Sequence, residues 1–87
     1  MARVQVYTKR NCAYCVRAKA LLQKKGVPYE EIDVEGDDGR RDRLVEVTGQ
    51  RTVPQIFVGD VHVGGYSDLV ALDAAGGFTP LLRAPAG

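Results

Sequence analysis

Residues 4–25 read VQVYTKRNCAYCVRAKALLQKK, with two cysteines at the joint between two kinds of pattern. The run Val4-Gln5-Val6-Tyr7 is β-branched and aromatic, the composition of a buried strand. Thr8-Lys9-Arg10-Asn11 is a polar loop. From Ala13 the period becomes helical. Ala18, Leu21 and Leu22 share one face, and Arg17, Lys19, Gln23 and Lys24 lie elsewhere. The helix is expected to run to Lys25 before Gly26 caps it. Cys12 therefore stands where a strand gives way to a helix. The peptide N–H groups of a first helical turn have no intrahelical partner, and the aligned peptide dipoles favour negative charge there. A thiolate at that place is stabilised, which brings its pKa below the free value of about 8.5. Cys15 lies one turn along the same face. It is expected to be the more buried thiol, with the higher pKa. Two thiols at this spacing close and reopen a disulfide, the minimum equipment for thiol–disulfide exchange.

Outward from this unit, Tyr29 to Val34 reads as a second strand. Its charges, Glu31 and Asp33 against Ile32 and Val34, suit a sheet edge. Gly36-Asp37-Asp38-Gly39 is a turn, and either aspartate can cap a helix from Arg40 to Thr48 that presents Leu44, Val45 and Thr48 inward and ends at Gly49. Thr52-Val53-Pro54 opens a third strand, Gln55 to Val58. Gly59-Asp60 then turns into a fourth, Val61 to Val63, which is a hairpin signal. Gly64-Gly65 breaks that strand. Ser67 or Asp68 is expected to cap a last helix, Leu69 to Ala75. Thr79 to Leu82 adds at most one helical turn, with Pro80 at its first position. The order is β-α-β-α-β-β-α. The first two strands join in parallel through a right-handed crossover, and the last two form an antiparallel hairpin. A four-stranded mixed sheet flanked by three helices satisfies every apolar stripe. A CxxC beside a βαβ unit is the redox signature of the thioredoxin-like α/β fold.

The chain has 87 residues, enough for one domain with one core. Residues 1–83 are expected to form it, with Ala84-Pro85-Ala86-Gly87 as a short tail. The formal net charge is +1, which gives no case for a nucleic-acid or membrane surface. No apolar segment is long enough for a signal peptide or a membrane span. A bridge between two such close cysteines staples nothing distant. A reducing compartment, the cytoplasm, therefore fits better than a secreted scaffold. Zinc wants four ligands, and only His62 is left to join the two thiols, so no metal site is expected. His62 alternates with Val61 and Val63 and reads as a strand surface residue.

Four elements together resemble the glutaredoxin family, closest to its small bacterial dithiol members: Tyr7-Thr8-Lys9, Cys12-Ala13-Tyr14-Cys15, Thr52-Val53-Pro54 and Gly64-Gly65-Tyr66-Ser67-Asp68. The likeness extends from Val4 to about Leu82. Two positions depart from the family's common pattern. Ala13 stands where proline is usual, which restores one helix N–H. Tyr66 stands where relatives often carry a third cysteine.

The resemblance implies Cys12 as nucleophile and Cys15 as the resolving thiol. It implies a cis Val53–Pro54 bond that turns the Val53 backbone toward the sulfurs, where an extended tripeptide can pair as an added strand. Glutathione has that shape, with a carboxylate at each end. Its glycine carboxylate is expected to meet Lys9 and Arg41. Its γ-glutamyl carboxylate is expected on the N–H groups of Ser67 and Asp68, with the Asp68 side chain facing the ammonium. Thr52, Val53, Pro54, Gly65 and Tyr66 complete the ligand groove, and Tyr14 either packs or shapes the sulfur pocket. Blander readings stand beside these: Lys9 and Arg41 as solvated charges, Ser67 and Asp68 as plain caps.

The reading is a glutathione-dependent oxidoreductase that acts as a monomer on protein disulfides and on protein–glutathione mixed disulfides. The alternative is a binding module whose dimer holds a 2Fe-2S cluster through Cys12 and glutathione, left open by the absence of a proline ring at Ala13.

Overall fold

In the computed structural model, which describes residues 2–83, one four-stranded sheet organises the chain. The strands are β1 (Val4–Thr8), β2 (Glu30–Asp33), β3 (Gln55–Val58) and β4 (Val61–Gly64). The helices are α1 (Ala13–Lys24), α2 (Asp38–Thr48), α3 (Tyr66–Ala74) and α4 (Phe78–Leu82). The strand order is β2-β1-β3-β4. β1 is parallel to β2, with Val6 opposite Glu31, and antiparallel to β3, with Val6 opposite Ile56. The β3–β4 hairpin is antiparallel and irregular between Ile56 and Phe57. The mixed sheet and the thioredoxin-like order agree with the sequence reading. The tail at 84–87 lies outside the described residues.

Strand alternation divides the sheet into two faces. Val4, Val6, Ile56 and Val58 point to one, where Ala18 and Leu22 of α1, Leu69 of α3, and Phe78 and Leu82 of α4 close the main core. Gln5, Tyr7 and Phe57 point to the other, beside Arg43 and Val47 of α2. Leu44 is the fully buried residue of that helix. Val45 and Thr48 are half-buried, so the inward face is narrower than its sequence pattern suggests.

Local chemistry sets the boundaries. Asp37 is the N-cap of α2, its carboxylate accepting from the Arg40 N–H at 3.0 Å. Gly49 ends that helix at φ 70°, a left-handed conformation that glycine adopts without a Cβ clash. β2 is shorter than its pattern, and Val34 falls just past it. Val34 is still buried, with its N–H on the Thr8 carbonyl at 2.9 Å.

Two expectations need correction. α3 starts at Tyr66, not Leu69, and its N-cap is Gly65, not Ser67 or Asp68. Gly64, at φ 119°, turns the chain early, and Asp68 in the first turn reaches back to accept from the Gly65 N–H at 2.9 Å. Among the described residues the helices also number four rather than three. α4 runs Phe78–Leu82 from an N-cap at Gly77, so Pro80 is its third residue rather than its first. Burial of Phe78 and Leu82 in the core holds this short helix in place.

Candidate active site

Cys12 is the N-cap residue of α1, delivered there by Asn11 at φ 54°. Asparagine is among the few non-glycine residues that adopt such a backbone at low cost. The Cys12 Sγ accepts from the Cys15 N–H at 3.2 Å, and the first helical bond runs from the Val16 N–H to the Cys12 carbonyl at 3.1 Å. The sulfur thus sits on the free N–H groups of the first turn. Cys12 and Cys15 are joined as a disulfide, their Cα atoms 5.2 Å apart. Cys15 is buried at 1 % exposure, whereas Cys12 is half-buried.

Across from Cys12 lies the segment that enters β3. The Val53–Pro54 peptide is cis, and the Val53 carbonyl oxygen is 3.6 Å from the Cys12 Sγ. A cleft of about 250 Å³ runs from this point to the start of α3. Tyr14, Thr52, Val53 and Pro54 line one part of it, and Gly65, Tyr66, Ser67 and Asp68 the other. The Tyr14 and Tyr66 rings stand 6.0 Å apart across it, and the Arg17 guanidinium lies 5.3 Å from the Tyr14 ring. Tyr14 is 56 % exposed, so its ring forms rim rather than core.

Eight of the residues expected from sequence are brought together in this way. Lys9 and Arg41 are not in the lining. Both are exposed, and neither makes an ion pair among the described residues. Gln50 and Gln55 also line the cleft, and the sequence reading passed over both. Gln55 carried a signal: it is the polar residue at the head of an otherwise apolar strand. His62 also differs from its expectation. It is half-buried rather than a free surface residue, stacked on Phe57 with ring centroids 4.9 Å apart and 2.7 Å from Gln55 Oε1.

On the opposite side of β1, Glu31 accepts from Lys19 Nζ at 2.9 Å and from the Thr8 hydroxyl at 3.0 Å. The lysine bond, with lesser help from Thr8, holds the Glu31 carboxyl below its usual range. This network pins α1 to β2 behind the cysteine loop. No group of three or more His, Cys, Asp or Glu side chains gathers as a metal site among the described residues. No described helix is long and apolar enough to cross a membrane.

Comparison with known proteins agrees with this geometry. The Glutaredoxin family model matches residues 4–63. Glutaredoxin 3 of Escherichia coli K12 is 51 % identical over 83 residues, covering 95 % of this chain and all of that protein. Glutaredoxin of Pseudomonas aeruginosa is 49 % identical over 84 residues, covering 97 % of this chain and all of its own. Among solved structures, the buckwheat glutaredoxin–glutathione complex superposes with a TM-score of 0.86 at 33 % identity, covering 93 % of this chain and 76 % of the buckwheat chain. The solution structure of glutaredoxin from Brucella melitensis gives 0.85 at 47 % identity, covering 95 % of this chain and 90 % of that one.

Proposed function

The chain belongs to the glutaredoxin family of thiol–disulfide oxidoreductases, and on that premise we propose that glutathione is its reductant and its ligand. The observation that carries this reading is the cleft itself. It links the first turn of α1, at Tyr14 beside Cys12, to the start of α3 along the Thr52-Val53-Pro54 backbone. Glutathione is an extended tripeptide with an anion at each end, and this cleft offers a partner for its backbone and for one of those ends. Its cysteine moiety pairs with Val53. Its γ-glutamyl carboxylate lies on the first-turn N–H groups of α3, at Ser67 and Asp68. The Asp68 carboxylate faces the ligand's ammonium, while Gly65 and Tyr66 shape the turn. Lys9 and Arg41, unpaired among the described residues, approach the glycine carboxylate from outside the cleft. The relative solved as a glutathione complex supports the assignment.

Each exchange step forms one S–S bond and breaks another. The Cys12 thiolate attacks the glutathionyl sulfur of a protein–glutathione mixed disulfide. The protein leaves as a thiolate that takes a proton from solvent, and Cys12 now carries glutathione. A second glutathione thiolate attacks that sulfur, releasing glutathione disulfide and the Cys12 thiolate. With a protein disulfide, Cys12 attacks first and Cys15 displaces the bound protein. The resulting Cys12–Cys15 bridge is then opened by two glutathiones in turn. Stabilisation of the Cys12 anion by α1 helps the sulfur both to enter and to leave.

The test is a coupled assay on a glutathionylated peptide, run with glutathione and glutathione reductase and, separately, with thioredoxin reductase. Turnover is expected in the first system. Turnover in the second alone would falsify glutathione dependence.

A further inference from the structure

We propose that Gln55 and His62 are positioning residues that aim the Val53 N–H into the cleft, an inference that rests on the reading that glutathione lies along this backbone. Gln55 follows Pro54 directly and is 1 % exposed. Its amide is fully engaged. Nε2 donates to Gln50 Oε1 at 2.9 Å and to the Thr52 carbonyl at 3.1 Å, with the Thr52 Oγ1 at 3.3 Å. Oε1 faces His62 Nε2 at 2.7 Å.

The hydrogens in this network follow from one atom. A backbone carbonyl only accepts. Gln55 must therefore present N–H to Thr52, since the reverse amide orientation would set two oxygens against each other. That choice turns Oε1 toward His62, which must then carry a proton on Nε2. The ring is itself held, opposite Phe57 in the hairpin and stacked on it at an interplanar angle of 27°. The direction of the Nε2–H is thus fixed by the β3–β4 hairpin.

The grip on Thr52 has a consequence one atom further along. The Thr52 carbonyl and the Val53 N–H belong to the same planar peptide and, in the trans form, point to opposite sides. This bond is not among the cis peptides of the chain. Holding the oxygen on Gln55 therefore fixes the hydrogen on the other side of the peptide, in a segment whose Thr52, Val53 and Pro54 all line the cleft. Among the described residues the Val53 N–H has no hydrogen-bond acceptor, so it is free for a ligand carbonyl. Gln55 sets the aim, and His62 keeps Gln55 from turning over.

The test compares three variants with the wild type. Gln55→Glu keeps the size and the acceptor for His62 but cannot donate to Thr52. The apparent KM for a glutathionylated peptide should rise about tenfold, the loss expected for a buried hydrogen bond. Alkylation of reduced Cys12 by iodoacetamide should stay within about twofold, because that small electrophile needs no backbone partner. His62→Leu, which removes the donor, should raise KM about threefold, and His62→Gln, which restores an N–H, should bring it back. Should a buried carboxylate keep Gln55→Glu from folding, the two His62 variants decide. An unmoved KM in folded Gln55→Glu, or equal KM in His62→Leu and His62→Gln, overturns the positioning role and leaves the glutathione reading standing. A wild type that never saturates with the glutathionylated peptide overturns both.

Discussion

The Sγ of Cys12 lies 3.6 Å from the carbonyl oxygen of Val53, although 41 residues separate them in the chain. The sulfur proposed to attack and the backbone proposed to receive the ligand are thus brought together by the pairing of β1 with β3. A division of labour between the cysteines is expected from their difference in burial. Cys12→Ser should reduce turnover of both mixed disulfides and protein disulfides to the uncatalysed background. Cys15→Ser should spare the first reaction and impair the second. Steady-state assays on a glutathionylated peptide and on a disulfide-bonded protein check this, and equal loss of both in Cys15→Ser contradicts it.

Cys12 ionisation is expected below the free-thiol value of about 8.5, because the sulfur caps α1. The rate of iodoacetamide alkylation of the reduced protein, followed against pH, should show a midpoint on the acid side of that value. A midpoint at or above it would remove the helix start as the source of reactivity.

Asp68 holds the Gly65 N–H at the start of α3 and is proposed to face the ligand as well, and a single substitution separates the two roles. Asp68→Asn keeps an oxygen for the Gly65 N–H but loses the charge proposed to face the ligand's ammonium. Apparent KM for glutathione should rise about tenfold, equivalent to roughly 1.4 kcal/mol, with little change in thermal stability. An unchanged KM argues against Asp68 as an end clamp.

Gly64 is required on two counts. Its φ of 119° is costly for any other residue, and an added Cβ would lie 2.8 Å from the Asp68 Cγ. Gly64→Ala should therefore destabilise the fold by about 1–3 kcal/mol and weaken glutathione use at the same time. Urea unfolding and the glutathione KM give the two readouts, and a variant normal in both would refute the steric account.

Acid should loosen the tie between α1 and β2. Glu31 titrates below its usual range in the folded protein, so its contribution is present above the unfolded pKa and is lost as pH falls through the folded value. Its side chain is 43 % exposed, and solvent screening limits the effect to under about 1 kcal/mol. Glu31→Gln should flatten the stability profile between about pH 5 and pH 3, measured by urea unfolding at several pH values. A wild-type slope unchanged by the substitution would assign the acid sensitivity elsewhere.

Much of this molecule is legible in the sequence because its punctuation is strong. Gly49 and Gly59 end elements where expected, and Val4-Gln5-Val6-Tyr7 reads as a buried strand, as it is. The early start of α3 was less visible. Gly64 and Gly65 read as a break, yet a glycine can serve as an N-cap when a carboxylate three residues on supplies the missing acceptor. His62 and Gln55 were misjudged or missed for a different reason. Alternation tells which face a side chain takes, but not that two polar residues on neighbouring strands complete each other's hydrogen bonds. Lys9 and Arg41 illustrate the converse, since a long exposed cation has no fixed address until a ligand gives it one.

The acidic row along β2 bears on how this protein keeps company with its own kind. Glu30, Glu31 and Asp33 stand on the outermost strand, where Arg3 and Lys19 of the same chain hold the two glutamates. A second copy laid against that margin would bring carboxylates opposite carboxylates. That charged margin disfavours edge-to-edge pairing of two copies into a growing ribbon.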